Sequence, residues 1–299
     1  HMPNPQMRVE AKDSLINILS NIHPESKKNS LRRMIDFGRV LVDGNRATRA
    51  KEIITPGAIV EILSRSEADI PQKKQHGILE DPIILYEDEQ IIVVEKPSGL
   101  LSVATSKGEP DTMFDRVLHW SKRNQRKRVY LIHRLDRETS GCLILAKSPE
   151  TRKFLQSQFQ QRSIKRIYHA VVLGKPPTNS GISTSRIKES KNKLVRLVPN
   201  NEKSGKEAIT IWKTVKEASI NSLVRIKIET GRRAQIRLHM SELGCPVIGD
   251  KIYGIGKSSV SRLCLHASEL KFTHPNGRKI TVKSKIPDKM LSELNRKSV

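Results

Sequence analysis

Residues 133–141 read HRLDRETSG and lead directly into the apolar segment CLILA at 142–146. A β-branched run at 129–132 precedes this stretch, so a strand is predicted on each side of a charged turn. Flanking strands hold such a turn still, which makes it a suitable mount for catalytic groups. The stretch by itself leaves a second interpretation open, in which it is an ordinary capped turn with solvated arginines.

The composition is dominated by positive charge. Among 299 residues, 55 are Lys or Arg and 31 are Asp or Glu, which gives a formal net charge of +24. Such an excess causes self-repulsion unless a polyanion offsets it, and nucleic acid is the simplest polyanion. The length and a hydrophobic content of 36% allow one or two domains with a full core.

Cysteine usage and hydropathy bear on the compartment. Three cysteines at wide spacing fit neither a disulfide framework nor a zinc pattern, so we expect a reducing, cytoplasmic environment. No apolar run reaches the ~18 residues of a membrane span, and no secretory signal opens the chain. We therefore expect no membrane partner, and we expect a monomer.

The chain is predicted to divide at a polar segment. A front domain is expected over 8–66, a linker over 67–80 and a second domain over 81–299. In the front domain, Asp13 or Ser14 is expected to cap a first helix and Ser30 a second, which ends at Gly38. Short strands are predicted at 40–42 and 58–63, with a turn at 43–44.

Basic side chains cluster around the second of these helices. Arg32 and Arg33 lie on it, and four further Lys or Arg residues follow by position 51. A cluster of this kind is typical of a phosphate-binding face, although a merely solvated face has the same pattern.

The second domain shows mainly strand patterns. A hairpin is predicted at 83–86 and 91–95, and a two-stranded excursion at 181–198. Single strands are predicted at 129–132, 164–173, 208–215, 223–228, 263–267, 270–273 and 280–283. Helices are predicted from 111 or 112 to 120, from 148 to about 161, and before Gly244.

A lone carboxylate is the chemical candidate in the central stretch. The common catalytic signatures are missing from the sequence, and Ser140 lacks the context of a hydrolase nucleophile. Asp136 can act as a nucleophile or a general base if it is kept ionised in a buried, water-poor site. Burial of a carboxylate is costly, so a cationic partner is required, and Arg237 is the expected one. Arg237 could instead merely fasten the loop, and the sequence leaves that alternative open.

Ordered motifs carry a family resemblance. The front domain resembles the S-four-type RNA-binding domain at 30–35 (SLRRMI), 38–44 (GRVLVDG) and 55–60 (TPGAIV). The central stretch resembles the signature of the RluA-type pseudouridine synthases. Further similar segments are 83–88 (IILYED), 93–100 (VVEKPSGL), 165–170 (KRIYHA), 230–239 (TGRRAQIRLH), 249–250 (GD) and 253–254 (YG). One departure is Ala234, where the family usually has His, and we expect its effect to be on the helix–loop junction.

The resemblance implies a fold and an activity. It implies an α+β catalytic domain with a mixed, mostly antiparallel sheet, flanking helices and a central cleft. It implies isomerisation of uridine to pseudouridine in structured RNA without metal or organic cofactor. Asp136 would be the catalytic carboxylate, either by attack on the anomeric carbon or by promoting a glycal. Tyr168 would stack on the uracil, with assistance in proton removal as a further option, and Arg237 would pair with Asp136, so both are counted with Asp136 as catalytic residues.

The resemblance also implies substrate contacts. Arg134 would fill the space left by the flipped-out base, and we assign substrate binding also to His133, Lys96, Arg32 and Arg33. Large-subunit ribosomal RNA is the expected substrate, with transfer RNA as an alternative. A rival interpretation is an RNA-binding or ribosome-assembly factor that has lost catalysis.

Overall fold

The structure is a computed structural model that describes residues 4–64, 79–125, 127–192, 194–255 and 260–297. The chain divides into two compact units, residues 1–77 and residues 78–299. The predicted linker lies outside the described residues except for 79 and 80. In the described part of the chain, no helix is long and apolar enough to cross a membrane.

The front unit is a small α/β module around one apolar core. Its core side chains come from both helices and from the strands, and include Leu15, Leu19 and Leu31. A four-stranded sheet has the order β1-β6-β3-β4, and β2 pairs with β5. The elements are β1 Gln6–Arg8, β2 Asp13–Ser14, α1 Leu15–Ile22, α2 Lys28–Asp36, β3 Val40–Val42, β4 Asn45–Arg46, β5 Ile53–Ile54 and β6 Ile59–Ile62.

The helix starts in the front unit differ in part from the prediction. Ser14 is at the N-cap of α1 but makes no capping hydrogen bond with its side chain. The prediction that Ser30 caps α2 was wrong, because the helix begins at Lys28. The amide of Ser30 already donates to the carbonyl of Lys27 at 2.8 Å, so Ser30 belongs to the first helical turn. Burial of Leu31 and Ile35 fixes this helix in the absence of a polar cap.

The second unit is built on one 11-stranded sheet with the order β13-β12-β14-β15-β11-β16-β10-β8-β7, while β17 pairs with β16 and β9 with β10. All of these pairs are antiparallel except β10 with β16, which is parallel. The strands are β7 Ile83–Glu87, β8 Ile91–Lys96, β9 Tyr130–Leu131, β10 Ser140–Ala146, β11 Lys165–Leu173, β12 Ser180–Glu189, β13 Val195–Val198, β14 Lys206–Glu217, β15 Asn221–Ile228, β16 Leu265–Thr273 and β17 Lys279–Lys283.

Helices cover both faces of this sheet. The helices are α3 Met113–Gln125, α4 Pro149–Gln160, α5 Gln235–Glu242 and α6 Asp288–Leu294. Side chains of α3, α5 and α6 join one apolar core, and Leu155 of α4 joins another. Along β10, Leu143 and Leu145 enter the first core and Cys142 and Ile144 the second, as the alternation of a strand requires. The predicted mixed, mostly antiparallel α+β fold is therefore confirmed.

One late strand was divided wrongly in the prediction. The segments predicted at 263–267 and 270–273 fall in the single strand β16, which begins at Leu265 and continues through the polar pair Ser268 and Glu269. The register with β11 shifts at this pair, because Ile167 pairs with Glu269 and Tyr168 with Ala267, so Ser268 is the extra residue of a β-bulge in β16. A β-bulge of this kind is not visible in local hydropathy.

Candidate active site

The central loop lies between β9 and β10, at the point where the sheet contains its parallel pair. The parallel register joins Ser140 to His266 and Gly141 to Ala267. Gly141 has φ +116°, and a Cβ there would lie 2.2 Å from the carbonyl oxygen of Ala267. Only glycine allows this approach of the two backbones, so Gly141 fixes where the loop ends and where the buried strand begins.

A second loop fastens the backbone of the central one. The Ser102 hydroxyl accepts from the amide of Leu135 at 2.9 Å and donates to its carbonyl at 2.8 Å. The carbonyl of Arg137 accepts from the amide of Gly99 at 2.9 Å, and that of Glu138 accepts from the Ser98 hydroxyl at 2.7 Å. These bonds hold the backbone on both sides of Asp136.

Lys96, which we predict to bind substrate, takes part in holding the central loop. Its side chain is fully buried, and its amine donates to the carbonyls of Pro97 at 2.9 Å, Leu100 at 2.5 Å and Arg137 at 2.8 Å. Burial lowers the pKa of Lys96 to about 7, against the opposing charges of Glu138 and Asp136. Lys96 is not among the side chains that line the cleft. Its three N–H donors are engaged with protein carbonyls, so the structure gives it a structural position.

A cleft of about 470 Å³ opens beside the central loop. Its lining combines side chains from the loop, from α4 and β11, and from the segment 228–237. Positive charge prevails in it, which suits a polyanionic substrate. Among the described residues the cleft is lined by the arginines 134, 162, 166, 232, 233 and 237 and by the carboxylates of Asp136 and Glu229.

The three residues predicted to be catalytic meet at this cleft. Asp136, Tyr168 and Arg237 all line it, and the nearest Arg237 nitrogen, Nη1, is 4.0 Å from Oδ2 of Asp136. The Asp136 side chain is 35% exposed, so the expectation of a buried carboxylate was wrong for the chain without RNA. Water therefore reaches this carboxylate through the open side of the cleft.

Arg237 has a second carboxylate partner in addition to Asp136, with which the predicted contact is present at 4.0 Å. Its Nε donates to Oδ2 of Asp250 at 2.8 Å and its Nη2 to Oδ1 at 2.6 Å, whereas Asp136 is reached by a longer contact. Asp250 Oδ1 also accepts from the amides of Ile252 and Tyr253 at 3.0 Å each. The guanidinium lies 5.0 Å from the ring centre of Tyr253. Arg237 is thus held by Asp250 and presents one nitrogen to Asp136.

Charge and burial oppose each other in this pair. Burial raises the pKa of Asp250, but the hydrogen bonds from Arg237 and the backbone amides outweigh it and bring the pKa below its usual value. Burial likewise lowers the pKa of Arg237, while Asp250 and Asp136 raise it, and the net direction is upward. Both groups are therefore ionised. Asp250 was quoted in a motif without a role, and its deep burial, with a side chain 1% exposed, was the missing signal.

Tyr168 reaches the cleft from β11, opposite the β-bulge of β16 described above. The strand β11 is itself continuous there, so its side chains keep their alternation and Tyr168 lines the cleft. Burial raises the pKa of Tyr168. The charge of Arg166 lowers this pKa and that of Asp136 raises it, and the net shift is upward. The side chain is a neutral phenol, so it offers an aromatic surface and a hydroxyl to the cleft.

The remaining predicted substrate residues are in different surroundings. His133 Nε2 accepts from the amide of Ile144 at 3.1 Å, and its ring stacks on Phe159 with centroids 4.9 Å apart. Burial, with a smaller contribution from Arg166, lowers the pKa of His133 to about 3, so a neutral ring forms part of the cleft wall. Arg134 lines the cleft with an exposed side chain.

In the front unit, described by itself, Arg32 and Arg33 are exposed on α2. Nη1 of Arg32 donates to the side-chain oxygen of Asn29 at 3.0 Å, and the guanidinium of Arg33 lies 5.8 Å from the ring centre of Phe37. Phe37 is itself exposed, so this helix presents two cations and an aromatic ring to solvent. The predicted cluster is thus on a surface, as a phosphate-binding face requires.

Ala234 is at the junction where its effect was expected. It is the N-cap residue of α5 and has the left-handed conformation, with φ +51° and ψ +21°. Its side chain makes no capping hydrogen bond and packs in a small cluster with Leu238 and Ile187. A residue other than glycine carries some strain in this conformation.

Comparisons with known proteins agree with this site. A family model described as RNA pseudouridylate synthase matches residues 90–242, and one described as S4 domain matches residues 14–60. The ribosomal large subunit pseudouridine synthase D of Neisseria meningitidis is 32% identical over 288 residues, which cover 91% of this chain and 75% of that protein. The protein of the same name from Pseudomonas aeruginosa is 31% identical over 291 residues, or 92% and 88% of the two chains.

A solved structure supports the fold. Human RNA Pseudouridylate Synthase Domain Containing 4 matches with a TM-score of 0.61 and 23% identity, over 71% of this chain and 92% of that one. The similarity to the bacterial relatives extends over nearly the whole chain, and the family model spans its central half. The chain therefore belongs to the RNA pseudouridylate synthase family and is an isomerase of the RluA type with an S4 domain at its front.

Proposed function

We propose that this protein isomerises specific uridines of large-subunit ribosomal RNA and that Asp136 is its catalytic carboxylate. The observation that carries the assignment is the position of Asp136, on a fastened loop, 4.0 Å from a guanidinium and in one cleft with Tyr168. The relatives named above are ribosomal large subunit enzymes, which favours ribosomal over transfer RNA.

The reaction is a redox-neutral exchange of bonds. The bond from the anomeric carbon to nitrogen 1 of uracil breaks, the base turns, and a bond forms to carbon 5. Carbon 5 then loses its proton while nitrogen 1 gains one. Asp136 supports the first step either by attacking the anomeric carbon or by promoting proton loss from the sugar, and both routes stay open. Its ionised form is required in either case.

The neighbouring residues follow from the same geometry. Arg237, anchored by Asp250, keeps a positive charge beside the Asp136 carboxylate. Tyr168 is neutral and is a weak base, so we assign to it the stacking contact with uracil. Access to the glycosidic bond requires the base to leave its stack, and Arg134 is assigned the space that the base vacates. Phosphate contacts in the positively charged cleft can offset the cost of unstacking.

The front unit is proposed to supply sequence-independent RNA affinity. We assign residues 8–66 to this domain, residues 67–80 to the connection and residues 81–299 to the catalytic domain. Exchange of both Arg32 and Arg33 for Gln should weaken RNA binding and lower the slope of log affinity against log salt by about 1.4, since each phosphate that is no longer neutralised on a single strand lowers it by about 0.7. An unchanged slope would show that α2 makes no phosphate contact.

The cellular location and the oligomeric state belong to the same proposal. The three cysteines are free and buried, which supports a reducing, cytoplasmic location. The net charge of +24 disfavours self-association, which supports a monomer in the absence of RNA.

Total RNA from a strain that lacks the protein, complemented with each variant, provides the test. Asp136→Asn and Asp136→Ala should abolish uridine conversion at the sites that the wild type restores, as mapped by carbodiimide labelling and reverse transcription. Asp81→Asn, at an exposed carboxylate paired with Arg123, is the matched control and should restore every site. Full activity of Asp136→Asn would refute the catalytic assignment. RNA crosslinking without any isomerised uridine for the wild type would favour the rival interpretation of an inactive assembly factor.

A further inference from the structure

Arg166 is a largely buried arginine of the cleft that has no carboxylate partner among the described residues. Three of the cleft arginines pair with carboxylates: Arg162 with Glu207 at 2.8 Å, Arg233 with Glu189 at 3.1 Å, and Arg237 with Asp250 at 2.6 Å. Arg166 has no ion pair within 4.0 Å and no hydrogen bond to any described residue. Its guanidinium lies 5.3 Å from the ring centre of Phe159.

Burial makes this isolation costly. The Nε of Arg166 is buried and without a hydrogen-bond partner, and burial lowers the pKa of the guanidinium. Glu229 acts on Arg166 through its charge without forming an ion pair with it, and it is engaged by Lys227 at 2.5 Å. A largely buried cation without an ion-pair partner is unfavourable, and the arrangement becomes favourable when an anion occupies the cleft.

The position of Arg166 indicates which anion it would meet. Arg166 and Tyr168 are two residues apart on β11, so they face the same side, about 7 Å apart along the strand. Both line the cleft. A base that stacks on Tyr168 would therefore bring a phosphate of its own or the adjoining nucleotide near Arg166. The carbonyls of uracil are neutral and would leave the positive charge uncompensated.

The backbone opposite Arg166 leaves room for its guanidinium. A Cβ at Gly231 would lie 2.6 Å from Nη1 of Arg166, so even alanine at this position would displace the end of the arginine side chain. Gly231 has no left-handed conformation to explain its presence, and space for the guanidinium is the requirement that the structure shows.

We propose that Arg166 binds a backbone phosphate of the RNA at the nucleotide being modified and is thus a further substrate-binding residue. This inference rests on the proposed function, since it takes the cleft as the site that receives the flipped nucleotide. Arg166 supplies a charge-assisted, bidentate contact, and the phosphate supplies the counter-charge that the protein itself withholds.

Kinetics on transcribed large-subunit ribosomal RNA provide the first test. Arg166→Gln should lower kcat/KM by about 10- to 100-fold and reduce its dependence on log salt by about 0.7. Arg166→Lys should retain the salt dependence while losing part of the rate. Lys175→Gln removes an exposed charge paired with Glu217 and should change neither quantity. A salt dependence for Arg166→Gln equal to that of the wild type would overturn the proposal.

Thermal unfolding without RNA separates this inference from the proposed function. Arg166→Gln should unfold at the same temperature as the wild type or higher, because it removes an unpaired buried charge. Inorganic phosphate, compared with chloride at equal ionic strength, should raise the unfolding temperature of the wild type and of Lys175→Gln more than that of Arg166→Gln. A lower unfolding temperature for Arg166→Gln with an equal phosphate response would show a structural role and overturn the proposal. If wild-type protein converts no uridine but passes this test, the assigned substrate fails and the anion site stands.

A double-mutant cycle with Gly231→Ala tests whether this glycine provides space for the guanidinium of Arg166. It should lower kcat/KM in the wild-type background but have no further effect together with Arg166→Gln, because the methyl group acts by moving the guanidinium. An equal loss in both backgrounds would show that the methyl group obstructs the RNA directly, which would overturn this account of Gly231.

Discussion

Variants of Arg237 and Asp250 should affect the free energy of unfolding and the rate of catalysis differently, and both effects can be measured. Arg237→Met leaves a carboxylate with a 1% exposed side chain without its cation, and breaking such a pair costs about 3–5 kcal/mol. Two backbone amides still donate to Asp250, so a loss near 3 kcal/mol is expected. Asp250→Asn should cost less, about 2 kcal/mol, because Arg237 retains Asp136 as a counter-charge at 4.0 Å.

The double variant distinguishes the two roles. Arg237→Met with Asp250→Asn removes both charges together, so it should recover most of the stability that Arg237→Met loses, to within about 1 kcal/mol of the wild type. It should recover no activity, because no cation then faces Asp136. Asp250→Asn alone should lower kcat by about 10-fold or more, because Arg237 is no longer held in place.

Urea unfolding and uridine conversion on the same preparations provide the measurements. A bidentate pair at the start of α3 is the matched control: Nε and Nη2 of Arg116 donate to Asp111, which precedes the helix, at 2.8 and 2.7 Å, away from the cleft. Its variants Arg116→Met and Asp111→Asn should leave conversion unchanged, whatever stability they lose. Wild-type kcat for Asp250→Asn, or an active double variant, would refute the role given to the Asp250 anchor.

Three further predictions concern the loop, the helix junction and pH. Lys96→Met should destabilise the protein by about 2–4 kcal/mol, because three buried carbonyls lose their donor. It should also lower kcat in the conversion assay, because Arg137 is part of the fastened loop. Ala234→Gly should raise stability to urea by about 1 kcal/mol, since glycine relieves the strain of φ +51°. Burial lowers the pKa values of His133, His239 and His266 to about 3, 4 and 4, against 6.5 in the unfolded chain. Between these pKa values the unfolded chain binds protons at the three histidines and the folded chain does not. The free energy of unfolding that is present above pH 6.5 is therefore lost as the pH falls, by up to about 4 kcal/mol per pH unit.

Each of these three predictions would be contradicted by a different result. Unchanged stability of Lys96→Met would mean that water replaces the amine at all three carbonyls. A loss of stability in Ala234→Gly would mean that the packing of the methyl group outweighs the strain. A urea midpoint that stays constant between pH 6.5 and 4 would show that the three imidazoles are accessible to protons in the folded protein.

Elements decided by local patterns could be predicted from the sequence. Leu143 and Cys142 lie in a continuous apolar run, which becomes a strand buried on both faces. The start of α4 follows from Ser148, whose hydroxyl caps the helix, and from the proline after it. The first turn of α2 was misplaced because no polar cap marks it, and packing of Leu31 decides its position.

The residues of the site could be predicted from the sequence, but their hydrogen-bond and ion-pair partners could not. Asp136, Tyr168 and Arg237 do line one cleft, as the ordered motifs suggested. The anchor Asp250 was missed because its role depends on burial, which a sequence of isolated polar residues does not reveal. The three backbone partners of Lys96 were not foreseen for the same reason, since they depend on the burial of its side chain.

The single parallel pair in the sheet has a consequence for the order in which the enzyme becomes active during synthesis. Ser140 pairs with His266, a partner 126 positions later in the chain. The core of the front unit consists of side chains between Val9 and Ile62, so this unit can fold as soon as it leaves the translating ribosome. The strand that follows Asp136, β10, can form its parallel pair only after β16 has been synthesised. A nascent chain that already contains the front unit but ends before residue 265 is therefore expected to bind RNA without modifying it.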